Sequence, residues 1–208
     1  MGLVDKLLGR RRSGSEPAAE RELWLDEGIP GWMTPGELKV IARAAGRVPS
    51  GGVVVEIGSF AGRSSVHWAA NSDPSVRIFC MDPFDAIVDE YSLAHIQGDA
   101  SAVAGRPSGE LFAEHTSAWA QRLTPVAQAS PPPSWDEPAD VIFVDGDHTS
   151  EGVTRDIEFW IDHLKPGGVM LGHDWDDPRV REAVETFAAA HGRTAHAHDG
   201  TNIWQLYP

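Results

Sequence analysis

A chain of 208 residues, 41% apolar and 23% charged, has room for one soluble globular domain with a sizeable core. No apolar run approaches the roughly 18 residues of a membrane span, and a formal net charge of −14 repels phosphate backbones and anionic lipid. Nucleic acid and membrane are therefore not expected partners, and the single cysteine, Cys80, excludes an internal disulfide and reads as a buried core residue in a reducing, cytoplasmic compartment.

The start, "MGLVDKLLGRRR", places Leu3, Val4, Leu7 and Leu8 on one helical face, but it is too short and broken for a signal peptide, and Lys6 breaks the N-myristoylation pattern. It reads as a frayed leader. Residues 9 to 20 are polar with Gly, Ser and Pro and read as a linker, so residues 1–30 form a leader and linker and residues 31–208 the domain proper. Thr34-Pro35-Gly36-Glu37 is a capping box with proline at the first helical position, and a helix is expected to about Ala45. Alternation follows. "GVVVEIG" (52–58) is a short continuous apolar run, as in a strand buried on both faces, and "GRSSVHWAAN" continues as a helix. "VRIFCMD" (76–82) is a second strand, and "SGELFAEHTSAWAQRL" (108–123) a helix. "PVAQAS" (125–130) is a weak strand and "VIFVD" (141–145) another. Val153, Ile157, Trp160, Ile161 and Leu164 then form an amphipathic stripe stopped by Lys165-Pro166-Gly167-Gly168. "VMLGH" is a strand, Asp177-Pro178 starts a helix, and "TAHAHD" with "NIWQLY" closes the chain as a hairpin. Strands alternating with helices argue a mostly parallel sheet with helices on both faces. Residues 83–107, with Tyr91 and His95, fit neither period and read as a lid or substrate loop.

"VEIGSFAGRSS" (55–65) joins the first buried strand to a helix. Gly58 allows a sharp turn and close approach by a ligand, Gly62 does the same at the helix start, and Ser64 lies where free N–H groups favour an anion. Asp82 ends the next strand, where an acid hydrogen-bonds ribose hydroxyls in doubly wound sheets. An acid before the first glycine repels a pyrophosphate, which counts against a nicotinamide cofactor, and suits a ligand with an ammonium group, such as S-adenosylmethionine.

These residues resemble motif I of the class I S-adenosylmethionine-dependent methyltransferases. Together with "FVDGDHTSEGVTRDIEFWIDHLKPGGVMLGHDW" they are similar to the metal-dependent small-molecule O-methyltransferases, the group of catechol and macrolide-sugar enzymes, whose bacterial branch includes proteins labelled cephalosporin hydroxylase. The resemblance covers about residues 31–208. It implies a Rossmann-like class I fold, with a mostly parallel seven-stranded sheet and a C-terminal antiparallel hairpin. It also implies that Glu56 and Gly58 border the methionine end of the cofactor, with Ser59, Phe60 and Gly62 in the same turn. Ser64 would then meet the carboxylate, Asp82 hold the ribose and Ser130 lie near adenine.

The strands "VIFVD" and "VMLGH" both run into charge: Asp145, Asp147 and His148 after one, His173 and Asp174 after the other. If they are neighbours, their ends lie roughly 4.8 Å apart, and a divalent cation relieves the conflict between carboxylates that close. Asp145, His173 and Asp174 are the expected ligands. A metal lowers the pKa of an acceptor hydroxyl and orients it. His148 suits the general base that takes its proton, and the resemblance places the family's base at this offset, with Asp147 as competitor. The family usually carries two acids, or an acid and an amide, where His173 and Asp174 stand. An imidazole there favours Mn²⁺ over Mg²⁺. Trp175 reads either as an acceptor-pocket wall or as core.

The function expected is O-methylation of a hydroxyl on a small molecule such as a sugar or phenol, using S-adenosylmethionine and Mg²⁺ or Mn²⁺. Competing classes are a non-haem iron hydroxylase built on His148, His173 and one aspartate, and a cofactor-binding partner without catalysis. A homo-oligomer is compatible with the sequence.

Overall fold

The apolar runs and the helical stripes assemble as alternating strands and helices around one sheet. The computed structural model describes residues 22–87, 95–98, 101 and 103–207. Tyr91 and the amphipathic leader lie outside the described residues. Among the described residues, helices α1 (Pro35–Ala45), α2 (Arg63–Asn71), α3 (Ser108–Thr116), α4 (Ser150–Ile161) and α5 (Pro178–Ala190) accompany strands β1 (Val53–Ile57), β2 (Arg77–Asp82), β3 (Leu123–Ala127), β4 (Ala139–Val144), β5 (Leu164–Gly172), β6 (Thr194–Ala197) and β7 (Trp204–Tyr207). The sheet order is β3-β2-β1-β4-β5-β7-β6. β1 to β5 pair in parallel, while β7 runs antiparallel to both β5 and β6. This is the expected Rossmann-like, mostly parallel seven-stranded sheet with a C-terminal antiparallel hairpin.

Strand alternation divides the core. Val53, Val55 and Ile57 share a cluster with Ile157, Trp160, Val184 and Phe187 of α4 and α5. Val54 faces the other way, with Leu38, Ile41, Trp68 and Phe112 of α1, α2 and α3. Cys80 belongs to that second cluster, and burial pushes its thiol well above its ordinary range, so it is an unreactive core residue. Among the described residues no helix is long and apolar enough to cross a membrane.

Several boundaries differ from the sequence reading. β3 begins at Leu123 and contains Pro125, which the sheet tolerates because β3 is an edge strand. Lys165-Pro166-Gly167-Gly168 lies inside β5 rather than before it. The pairing jumps from Ala139↔Leu164 to Val141↔Val169, so the extra residues bulge out of the ladder. The third helix stops at Thr116, whose hydroxyl bonds back to Phe112 O at 2.6 Å, and a short 3-10 turn continues to Trp119. The described part of the N-terminal segment packs on α2. Asp26 N–H donates to His67 Nε2 at 3.1 Å, Trp24 N–H to Asn71 Oδ1 at 2.9 Å, and Arg63 Nε to Met33 O at 3.0 Å. Gly31, Trp32 and Met33 thereby form one wall of the principal cleft.

The hairpin fixes the end of β5. The Trp204 indole lies against Gly172 and donates to His173 O at 2.9 Å. A Cβ on Gly172 would lie 2.1 Å from Trp204 Cζ2 and 2.6 Å from Val144 O. Gly172→Ala should therefore lower stability by roughly 2 kcal/mol or more through overpacking, read as an earlier urea midpoint with an unchanged slope; an unchanged midpoint would show that the indole has room to move.

Candidate active site

A cavity of about 690 Å³ opens over the carboxyl ends of β1, β2 and β4, where parallel sheets bind ligands. Of the residues singled out in the sequence, Gly58, Ser59, Phe60, Ser64, Asp82, Ser130, Asp145, Asp147, His148, His173 and Asp174 border it. Glu56 and Gly62 do not.

Gly58 has φ +82° and packs so closely on the next strand end that a Cβ would lie 1.9 Å from Asp145 O. Only glycine meets both demands. Asp82 ties down the rest of the turn. Its Oδ2 accepts from Ser59 N at 3.1 Å and Phe60 N at 2.9 Å, and Oδ1 accepts from Phe84 N at 2.7 Å. A carboxylate has about four lone-pair directions, so Asp82 retains capacity for a ligand hydroxyl. α2 starts at N-cap Gly62, which offers no side-chain cap to its leading N–H groups. That is a fitting place for a carboxylate. Phe60, Phe84 and Asp174 are the non-glycine residues with positive φ among the described residues, and all three flank the cleft or its Asp82 anchor. Strain of this kind collects at functional sites.

Glu56, expected at the methionine end of the cofactor, does not border the cleft. Alternation along β1 turns it toward α2, where it is fully buried and accepts from Ser59 Oγ at 2.8 Å and from the Ser65 hydroxyl. Its Oε1 has no hydrogen-bond partner. Burial pushes the carboxyl up to about 6, against the pull of the Ser64, Ser65 and Ser59 hydroxyls.

At the other side of the cleft the ends of β4 and β5 converge. His148 Nε2 lies 3.0 Å from Asp174 Oδ2 and 3.7 Å from Asp145 Oδ1. His173 Nδ1 lies 3.2 Å from Asp174 Oδ1 and 3.5 Å from Asp145 Oδ1. Asp145 first, and then Asp174, push His148 up to about 10. Burial opposes a charge on His173, but Asp145, Asp174 and Glu37 outweigh it and hold the ring protonated well above its ordinary range. Asp174 is likewise held well below the carboxylate range by the two imidazoles, despite burial. Behind His173 stands Glu37, with Oε2 at 3.4 Å from His173 Nε2, a charge contact and not a directed hydrogen bond.

Among the described residues, Asp145, His148 and Asp174 bring one donor atom each within 4.8 Å of one another. His173, the expected third ligand, is the buried ring, 6% exposed, while His148 is 47% exposed. Asp147, the competing base, is engaged locally: its Oδ1 accepts from Thr149 N at 2.9 Å, and that bond holds its carboxyl below the usual range. Trp175 packs against the core and does not border the cleft. Sequence reading passed over Glu37, because the capping box already explains it, and over Asp156, an acid inside the apolar stripe of α4 that borders the cleft. That misplaced charge was the available signal.

A doubly wound sheet with a glycine turn, an acid at the end of β2 and a charged cluster beyond β4 is the α/β architecture that gathers a ligand site at the carboxyl ends of its strands. Residues 55–175 match the family described as a methyltransferase domain, and the chain belongs to that family. Solved structures share the fold. An O-methyltransferase from Bacillus cereus in complex with SAH matches with TM-score 0.58 at 16% identity, over 86% of this chain and 83% of that one. A precorrin-6y C5,15-methyltransferase from Geobacter metallireducens GS-15 matches with TM-score 0.58 at 16% identity, over 90% and 92%. An rRNA methylase from Streptococcus thermophilus matches with TM-score 0.53 at 14% identity, over 84% and 96%.

The raised Glu56 carboxyl makes a stability prediction. Its native value of about 6 lies above the ordinary 4.5, so its contribution is fully present below about pH 4.5 and lost as pH rises through about 6. The displacement corresponds to about 2 kcal/mol. Glu56→Gln does not titrate, so it should gain on wild type by about that amount between about pH 4 and about pH 7 in urea unfolding. A difference that stays constant with pH would mean that Glu56 is solvated.

Proposed function

We propose that the chain is an S-adenosylmethionine-dependent O-methyltransferase acting on a hydroxyl of a small molecule, with a divalent cation beside the acceptor. The observation that carries this reading is the placement of the Asp145–Asp174 carboxylate pair in the same cleft as the glycine turn and Asp82. Bound there, S-adenosylmethionine supplies a methyl group on a sulfonium. The Gly58 turn allows close approach of the nucleoside, the start of α2 with Ser64 receives the amino-acid carboxylate, and Asp82 accepts from the ribose. Asp145 and Asp174, with the His173 imidazole as third donor, would hold the cation, which would supply Lewis acidity that lowers the pKa of an acceptor hydroxyl. Two carboxylates and an imidazole suit Mn²⁺, Fe²⁺ or Zn²⁺ better than Mg²⁺. His148, the exposed ring, faces the cleft while His173 is packed between the aspartates and Glu37, and its Nε2 would be the proton acceptor once a cation at Asp145 and Asp174 offsets the two carboxylates that otherwise hold the ring protonated. The acceptor O–H would give its proton to the neutral His148 ring as the oxygen bonds to the methyl carbon and the S–CH3 bond breaks, leaving S-adenosylhomocysteine.

A second reading has a specific observation behind it. His148 and His173 both reach Asp174, which is the make-up of a two-histidine, one-carboxylate iron site. It leaves the glycine turn and Asp82 without a ligand, and it requires binding of a co-substrate such as 2-oxoglutarate.

Calorimetry separates the two. S-adenosylhomocysteine should bind and 2-oxoglutarate should not, and Asp82→Ala should weaken S-adenosylhomocysteine by about tenfold or more through loss of a charged hydrogen-bond acceptor. Absence of S-adenosylhomocysteine binding at millimolar concentration would sink the methyltransferase reading for this cleft.

The cation is tested separately by titrating Mn²⁺. Asp174→Asn retains a residue type tolerant of positive φ but removes the charge, and should weaken Mn²⁺ by about tenfold or more. Equal Mn²⁺ affinity in wild type and Asp174→Asn would leave the aspartates as partners of the two histidines alone.

A further inference from the structure

The described residues surround a second cavity, of about 590 Å³, that shares no lining residue with the cleft. Its volume falls in the range of small-ligand sites, roughly 300–1,000 Å³. One wall is a stripe of α1, Val40, Arg43, Ala44 and Arg47, whose spacings put them on one helix face. That stripe flanks the Leu38, Ile41 and Ala45 side that enters the core. The opposite wall is the sheet, where Val141 of β4 and Val169 and Leu171 of β5 turn toward α1. The bulge of β5 away from β4 shapes the rim, and a Cβ on Gly167 would meet nothing within 4 Å.

The charges on this cavity do not cancel. Asp140 is already committed: its Oδ2 accepts from Lys165 Nζ at 2.7 Å and from Val53 N at 2.8 Å. Arg43 and Arg47 have no carboxylate partner among the described residues, in a chain with 31 acids against 17 lysines and arginines. Nor are they needed to close the end of α1. Ala42 O, Ala44 O and Ala45 O accept from the backbone N–H groups of Gly46, Arg47 and Val48, so the chain itself caps carbonyls that cationic side chains otherwise serve. His198 of the hairpin lies on the same cavity. Burial foremost, with Arg47 beside it, holds that ring below its ordinary range against the pull of Gln205, so it adds no charge near neutrality. Two uncommitted guanidinium groups therefore stand over an apolar floor. A guanidinium holds a carboxylate through two parallel N–H donors, and the floor takes hydrocarbon out of water. A monoanion suits the cavity better than a phosphate dianion, because the Asp140 carboxylate borders the same space.

We propose that this second cavity binds an amphipathic carboxylate, with its apolar body on Val141, Val169 and Leu171 and its carboxylate between Arg43 and Arg47. The proposal is independent of what the cleft binds.

The test titrates octanoate and 1-octanol, which share a chain length and differ in charge, into the full chain. Calorimetry reads affinity, and NMR of the His198 ring, assigned with His198→Asn, reads location. Octanoate should bind at sub-millimolar concentration and shift the His198 resonances, and 1-octanol should bind at least about fivefold more weakly. Arg43→Gln and Arg47→Gln, at exposed positions, should fold normally and each weaken octanoate by about fivefold or more. Lys39→Gln removes the same charge from an exposed position of α1 outside the cavity, and should change the affinity by less than about twofold. 1-Octanol binding within about twofold of octanoate would reveal an apolar hollow without charge selection, and would overturn the proposal. Arginine variants that bind octanoate like wild type would do the same, as would no binding at millimolar concentration. Octanoate that binds but leaves the His198 resonances unmoved occupies another place, which also removes the assignment.

Discussion

Two carboxylates do not sit stably at the ends of adjacent strands without positive charge between them. Unit charges roughly 5 Å apart interact by about 3 kcal/mol at an effective dielectric near 20. β4 and β5 are parallel neighbours in register at Val144↔Gly172, and the residues just beyond them include Asp145 and Asp174. The chain meets this constraint with two imidazoles, His148 from the cleft side and His173 from the interior. Glu37 then balances His173 from behind. Three carboxylates face two rings, so the cluster stays net negative even with both rings protonated. That residual charge is what makes a divalent cation a chemically sensible occupant.

Much of the remaining structure holds this cluster still. Glu37 belongs to the α1 capping box, accepting from Thr34 N at 2.7 Å, and its Oε1 accepts from Asn202 N at 2.9 Å. One side chain thus ties the start of α1, the loop before β7 and the ring beyond β5. Despite burial, the His173 ring foremost, and then the hydrogen bonds from Thr34 and Asn202, hold the Glu37 carboxyl down at about 2. Trp204 fixes His173 from the other side through its carbonyl. A buried charge that loses one partner is strongly destabilising, which explains why the supports come from three separate elements.

The fold was legible because its signals were local. The capping box at Thr34–Glu37, the continuous apolar run of β1 and the stripe of α4 each specify one kind of element, and alternation of strands with helices specifies the sheet. Boundaries failed where tertiary context overrode local chemistry. Pro125 is admissible in β3 only because that strand lies at an edge, and Pro166-Gly167-Gly168 is admissible in β5 only because β4 tolerates a shift in register. In the site, residues at strand ends were readable, since strand ends are where a parallel sheet gathers polar groups. Residues acting across the sequence were not. Glu37 had a complete local explanation, and the turn of Glu56 away from the cleft follows from which face of β1 meets α2. The relation of His148 to His173 depends on the backbone at Asp174, whose φ of +60° no spacing rule foretells.

The two motifs that sequence reading treated as separate are mechanically one. Gly58 N–H donates to Met81 O at 2.8 Å, and Asp145 N–H donates to Ile57 O at 2.8 Å, so the turn after β1 is clamped between its neighbours. Its bare Cα faces the Asp145 carbonyl with no space for a methyl group. Asp82 secures the same turn from the β2 side by taking the Ser59 and Phe60 N–H groups. A nucleoside seated on this turn and a cation seated at Asp145 would therefore rest on two neighbouring strand ends that are hydrogen-bonded and packed directly on each other. A displacement reaction demands that the reacting atoms be held in close, aligned contact, and two strand ends locked together would be a direct way for a small domain to hold both partners in one frame.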